Sequence, residues 1–302
     1  MNPVRSGLLV AARSSRVRSL IEALPPTRTV VERFVGGDNE DDAMRVAHVL
    51  RNSGLLCTID YLGEDVHDDV GAEVTVSAYE SLIPLLADTP HPDVSVKLTA
   101  LGLAHDEAGA VERARRIVRT AATHGVSVTI DMESSALTDA TLAVVRTLRE
   151  ETPSVAAVLQ AMLRRTVSDA RELGAEGARV RLCKGAYAED DTVAHGTRAA
   201  IDVSYRQALD ALWDSPGTPL VATHDPVLIN YTRQLDLRHP RPFEFQMLYG
   251  VRPDEQTLLA RCGYAVRVYV PYGNEWYGYL TRRLAERPAN LAFFLRAMAS
   301  RH

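Results

Sequence analysis

The residues with the clearest chemical potential lie near the C-terminal end, in Val266–Glu286 (VRVYVPYGNEWYGYLTRRLAE). Val266, Val268 and Val270 alternate with Arg267 and Tyr269, the period of a half-buried strand, and Pro271 is expected to end it. A loop, Tyr272-Gly273-Asn274, then leads into a helix that stops before Pro288. On that helix Tyr279, Arg282, Arg283 and Glu286 fall at i, i+3, i+4 and i+7, so one face carries two guanidinium groups and a carboxylate. Paired arginines suit a small carboxylate or phosphate, which they grip in a two-pronged way. The bland alternative is a solvated face with an Arg–Glu pair.

Further polar residues sit at the ends of otherwise apolar runs. They are Lys97, Asp131-Met132-Glu133, Gln160, Arg181 through Tyr187, Thr223-His224-Asp225, Phe243-Glu244-Phe245-Gln246 and Tyr269. Polar groups inside apolar strands are costly unless partnered, so this gathering needs a reason. Lys97 can pair with Asp131 across neighbouring strands as a structural ion pair. A lysine in such a place can also form a Schiff base, and Lys97 and Lys184 are both candidates. A metal site is disfavoured, since His224 is the only histidine at a strand end. Gly185 would let a flat ligand approach the backbone.

These positions imply a scaffold. Short apolar runs at Leu55–Leu62, Val94–Leu98, Val126–Met132, Val155–Gln160, Arg179–Lys184, Leu220–Thr223, Phe243–Met247 and Ala265–Val270 read as strands. Amphipathic segments separate them, one of them capped by Asp106. Eight strand–helix units point to a closed parallel (βα)8 barrel of the TIM type. The competitor, an open doubly wound sheet, usually shows a G-x-G-x-x-G turn, which this sequence lacks. The expectation is one barrel domain over residues 1–302, with residues 1–33 as an N-terminal helical extension. In such barrels the chemistry sits at the C-terminal strand ends, where the polar residues fall.

Bulk properties exclude several classes. The 302 residues carry a net charge of −5 with acids and bases interspersed, which is no nucleic-acid footprint. Cys57, Cys183 and Cys262 are far apart, match no metal spacing, and are expected to be buried reduced thiols. No apolar run is long enough to span a bilayer, and the N-terminus reads as an amphipathic helix rather than a signal peptide. A cytoplasmic protein is the simplest account.

Taken together, VKLTALG (96–102), DMESS (131–135), VRLCKGAYAE (180–189), ATHDP (222–226), FEFQMLYGVR (243–252) and VRVYVPYGNEWYGYLTRRLAERPAN (266–290) resemble the proline dehydrogenase family, in its single-function bacterial form. The likeness runs from about Phe34 to the C-terminus. It implies a distorted (βα)8 barrel that holds FAD and oxidises L-proline to Δ1-pyrroline-5-carboxylate, with the final barrel helix over the pocket.

By that resemblance Arg282, Arg283 and Lys97 hold the proline carboxylate, and Glu286 braces the arginines. Tyr269, Tyr279 and Leu248 wall the ring. Arg181 lies near the flavin N5 and Gln160 beside the isoalloxazine. Met132, Lys184, Gly185, Ala186, Thr223 and His224 help to hold FAD, and Asp131 completes a charged network with Lys97 and an arginine. The resemblance also implies a quinone as electron acceptor, reached at the inner face of a membrane. The second oxidation belongs to a separate pyrroline-5-carboxylate dehydrogenase. One departure stands out: Ala188 follows K-G-A-Y where bifunctional relatives carry tryptophan, so an aromatic cover over the cofactor is in doubt there.

Overall fold

Alternation of apolar and polar side chains along short strands dictates the architecture. The computed structural model describes residues 32–63 and 66–276; the expected N-terminal extension and the final helix with Tyr279, Arg282, Arg283 and Glu286 fall outside them. Eight parallel strands form one sheet: β1 (Leu56–Tyr61), β2 (Asp93–Val96), β3 (Ser127–Ile130), β4 (Ala157–Gln160), β5 (Arg179–Cys183), β6 (Thr218–Ala222), β7 (Glu244–Leu248) and β8 (Val266–Tyr272). Their order is β3-β2-β1-β8-β7-β6-β5-β4. The two ends meet through a single bridge, Thr129 with Ala156, where Ile130 N and Ala156 N each donate a bond of 2.9 Å. The result is a (βα)8 barrel of the expected type, distorted by its weak β3–β4 seam.

Among the described residues eight α-helices cover the sheet: α1 (Glu40–Asn52), α2 (Asp69–Leu86), α3 (Glu107–Thr123), α4 (Thr138–Glu151), α5 (Thr166–Ala175), α6 (Arg198–Trp213), α7 (Pro226–Arg238) and α8 (Pro253–Arg261). Side chains that satisfy orphan amides start several of them. Asn39 accepts from Asp42 N, Asp68 from Gly71 N, Asp106 from Gly109 N, and Asp225 from Val227 N, directly before Pro226. Outward-facing strand residues such as Ile59, Val94, Val96, Ile130, Val180, Leu182, Phe245, Val268 and Val270 pack under the helices. Their burial supplies the main driving force for folding.

The inward face is polar. Thr58, Asp60, Asp93, Ser95, Thr129, Gln160, Arg181, Glu244, Gln246 and Arg267 are all buried. Period-two alternation places these residues on the side opposite the apolar set. At the barrel floor Arg267 binds Glu244 at 2.7 and 3.1 Å and the carbonyls of Cys57 and His91 at 2.7 and 2.9 Å. Glu244 was expected at a strand end, but β7 begins there, so it belongs to the floor rather than the rim.

Two other expectations need correction. Pro271 does not end β8, which runs on to Tyr272. Its missing N–H falls on the side from which β7 has already departed, after Tyr249 N donates to Tyr269 O, so no ladder bond is lost. Of the three thiols only Cys57 is buried; Cys183 is half-buried and Cys262 exposed, because α8 ends just before it. Among the described residues no helix is long and apolar enough to cross a membrane.

Candidate active site

At the C-terminal rim the barrel interior opens on a compact ionic cluster. Lys97 follows β2 directly and sends its ammonium to both oxygens of Asp60, at 2.8 Å each. It stands 3.5 Å from Asp131 and 3.3 Å from the Tyr269 hydroxyl. Asp131 follows β3 and accepts from Tyr269 at 2.7 Å, from Arg181 Nη1 at 2.7 Å and from Ser95 at 2.9 Å. The expected Lys97–Asp131 pairing is therefore present, but the closer partner is Asp60 on β1. Asp60 was missed in the sequence, although an acid inside the apolar run LLCTIDYL was its signal.

Arg181, on β5, is fixed on several sides. Its Nε donates to Gln246 at 2.5 Å, and Nη1 reaches Ser95 at 2.8 Å as well as Asp131. The Tyr269 ring lies 5.3 Å from the guanidinium carbon. Nη2 is buried without a hydrogen-bond partner, 3.7 Å from Asp93. Asp93 itself takes the Thr58 hydroxyl at 2.6 Å. Gln246 passes the contact down to Glu244 at 2.6 Å, so the guanidinium is tied to the floor pair.

The two carboxyls beside Lys97 differ in proton affinity. Burial pushes Asp60 up to about 6, with Lys97 opposing and the nearby Asp131 charge adding to the rise. Burial acts on Asp131 in the same direction, but Lys97 and Arg181, with the Tyr269 and Ser95 bonds, outweigh it and hold that carboxyl below its ordinary value. Burial also drives the Tyr269 phenol well above its usual range, so it stays a neutral donor. The site thus presents a fixed ammonium, a fixed guanidinium and a phenol in a water-poor rim, suited to binding a small polar substrate.

A second group of expected residues lines β4, β5 and their loops. Gln160 ends β4 and donates to Glu133 O at 2.6 Å. Gly185, just after β5, has φ +96°, and a Cβ there would stand 2.5 Å from Met162 Sδ and 3.0 Å from Gln160 Oε1. Only glycine fits so close an approach in that conformation. Met132 is buried and Ala186 half-buried on the adjoining loops.

Lys184, next to Gly185, pairs with Asp202 of α6 and with Asp225 at 2.7 Å. Arg198 shares Asp225 at 2.9 Å. The structure therefore does not bring Lys184 to Lys97. Both amines are engaged by carboxylates, an arrangement suited to ion pairing and not to amine nucleophiles. Among the described residues no group of His, Cys, Asp or Glu is spaced to hold a metal ion.

The ion pairs of Asp225 outweigh its burial and hold the carboxyl well below the ordinary range. A depressed folded value contributes stability that is present above the unfolded value of about 4 and lost as pH falls toward the folded one. Asp225→Asn keeps the helix cap but removes this charge. We expect it to lower stability by about 1–2 kcal/mol near neutral pH. Thermal melts between pH 7 and pH 2 check this: the gap from the parent protein should close with acid.

Thr223, His224 and Leu248 occupy the ends of β6 and β7. Thr223 N donates to Gln246 O at 3.2 Å, and its hydroxyl accepts from Asp225 N at 3.1 Å. Leu248 N donates to His224 Nε2 at 2.9 Å. Leu248 pairs in register with Tyr269, which places it beside the ionic cluster.

A parallel barrel with this rim is an enzyme scaffold, and the convergence of Lys97, Asp131, Arg181 and Tyr269 marks its active end. The sequence matches the family described as Proline dehydrogenase over residues 43–296, and the chain belongs to that family. It is 39% identical over 276 residues to proline dehydrogenase 1 of Bacillus subtilis, covering 90% of this chain and 91% of that protein. It is 37% identical over 307 residues to proline dehydrogenase of Deinococcus radiodurans, covering 97% of each. Among solved structures it is similar to proline utilization A from Bdellovibrio bacteriovorus inactivated by N-propargylglycine. The TM-score is 0.78 at 25% identity, covering 91% of this chain and 36% of that one. The chain thus spans about a third of that longer protein and nearly all of the short relatives. It is an oxidoreductase of the proline dehydrogenase family.

Proposed function

We propose that the protein oxidises L-proline to Δ1-pyrroline-5-carboxylate, the first step of proline catabolism, with FAD as its cofactor. The observation that carries this reading is the rim cluster of Lys97, Asp131, Arg181 and Tyr269 on a barrel of this family. FAD, when bound, supplies the acceptor for a hydride from the proline C5 carbon. The residues fit such a group. Arg181 and Gln160 stand on adjacent strands paired in register, so a guanidinium and an amide are offered side by side, and Gly185 adds no side chain next to Gln160. Arg181 and Gln160 would face the ring system. Met132, Lys184, Gly185, Ala186, Thr223 and His224 would hold the remainder.

The chain's own contribution is binding, orientation and charge. Lys97, with Arg282 and Arg283, holds the substrate carboxylate, and Glu286 braces the arginines. Leu248, Tyr269 and Tyr279 confine the ring so that C5 is presented at near-attack distance. Asp131 keeps Lys97 and Arg181 in place, since it touches both. Arg181 sets a fixed positive charge where negative charge develops. The proline nitrogen must be neutral for its lone pair to replace the departing electrons. Electrons pass on to a quinone, with the protein at the inner face of a membrane, and a separate dehydrogenase oxidises the product further.

Incubating the purified protein with FAD, L-proline and a soluble quinone tests this reading. Mass spectrometry should find a cyclic product two hydrogens lighter than proline, formed faster as pH rises from neutral to alkaline. A flat or falling profile would remove the neutral-amine step, and an unchanged substrate would remove the function.

A further inference from the structure

The turn after β7 holds a residue that the proposed reaction does not use. Arg252 is one of only two non-glycine residues with positive φ among the described residues, at +54°. It stands at the cap of α8, ahead of Pro253. Backbone of this kind strains any residue with a Cβ and persists only where the surroundings hold it. Two side-chain bonds hold it. Arg252 Nη1 donates to the carbonyl of His224 at 2.6 Å, and Nη2 reaches Glu255 at 2.7 Å. One arginine thereby ties the end of β6 to the turn after β7.

The same two strand ends are joined a second time at Leu248. A backbone N–H can only donate, so His224 Nε2 takes the Leu248 N–H as an unprotonated acceptor and the ring proton sits on Nδ1. On its other side the Leu248 carbonyl accepts from Gln256 Nε2 at 3.0 Å, and Gln256 is buried. Leu248 is therefore clamped through both of its peptide groups. Arg252 adds a bond to His224's own backbone carbonyl.

We propose that Arg252 is a positioning residue that sets the spacing between His224 and Leu248, and so the ring size the site accepts. This rests on the proposed function, in which Leu248 walls the substrate ring. Through the clamp, Arg252 acts on ground-state fit and not on the reacting atoms, so its loss changes KM and selectivity while leaving kcat nearly intact.

Arg252→Gly is the informative variant. Glycine adopts φ +54° freely, so the turn keeps its course and only the guanidinium is removed. The FAD-saturated protein and the variant are compared on L-proline and on its six-membered-ring homologue, pipecolate. Binding of cyclopentanecarboxylate is followed by calorimetry and thermal stability by melting. The variant should show a KM for proline, and a Kd for cyclopentanecarboxylate, raised by about five- to tenfold, with kcat within about twofold. Its preference for proline over pipecolate should fall by a similar factor, part of the roughly 10–200-fold that one methylene commands. Its melting temperature should stay near that of the parent. An unchanged KM and ring preference would overturn the proposal, as would a lowered melting temperature with unchanged selectivity. A parent protein that neither turns over proline nor binds the analogue removes the functional reading and this inference together. A working parent with an indistinguishable variant removes the inference alone.

Discussion

Lys97→Met should destabilise the protein by about 3–5 kcal/mol, the usual cost of removing one partner from a buried ion pair. Asp60 is fully buried, and its two bonds to the Lys97 ammonium are both lost. The variant also carries a distinctive pH signature. Asp60 already titrates near 6 in the intact cluster. Without Lys97 the charged form is less favoured still, so the carboxyl of the folded variant takes up a proton more readily. A carboxyl raised in the folded state contributes stability that is full below the unfolded value of about 4 and lost as pH rises through the folded value. The stability gap between variant and parent should therefore widen from pH 5 to pH 8. Denaturant titrations at both values measure it, and equal gaps would mean that Lys97 does not hold Asp60 in its charged form. A second substitution, Asp60→Asn, should recover much of the loss at pH 8. Affinity for proline should fall as well, since the proposed site uses the Lys97 ammonium to meet the substrate carboxylate.

Arg181→Met should lower kcat by a factor on the order of 10²–10³, the range for losing one fixed donor at developing charge. Three hydrogen-bond partners are lost with it, Gln246, Ser95 and Asp131, along with the longer contacts to Asp93 and the Tyr269 ring. Asp131 keeps Lys97 and the Tyr269 hydroxyl, so the cluster persists in weakened form. Arg181→Lys restores a charge but cannot reach Gln246, Ser95 and Asp131 together, because an ammonium lacks the planar fork. Its kcat should lie between the two. Steady-state kinetics on all three proteins decide the matter. A methionine variant within threefold of the parent in kcat would show that the guanidinium serves only the fold.

Much of this was legible in the sequence, for identifiable reasons. Short apolar runs set between amphipathic segments located all eight strands, since each buries an apolar face under a helix, and Asp106 was readable as a cap because its side chain precedes an apolar helical stripe. Lys97, Asp131, Arg181 and Tyr269 were recognisable as polar residues at the ends of apolar runs. Asp60 was not, because a single acid in a strand carries no information about its partner until β1 and β2 are set side by side. Glu244 was placed at the wrong end of β7, since the run FEFQM reads equally well when shifted. Pro271 misled because its effect depends on which neighbour its missing N–H would face, a property of sheet order alone. The positioning role of Arg252 emerges only from a backbone dihedral and two distances, none of which the string VRPDE encodes.

The visible absorption spectrum of the purified protein, recorded before and after anaerobic addition of L-proline, tests the central claim most directly. The expected result is a yellow protein, as isolated or after FAD is added, whose absorbance bleaches with L-proline. A protein that binds FAD and keeps its colour in the presence of proline would contradict the assignment of Lys97, Asp131, Arg181 and Tyr269 to proline oxidation. One that stays colourless and inactive with added FAD would contradict the flavin site at Gln160 and Gly185 as well.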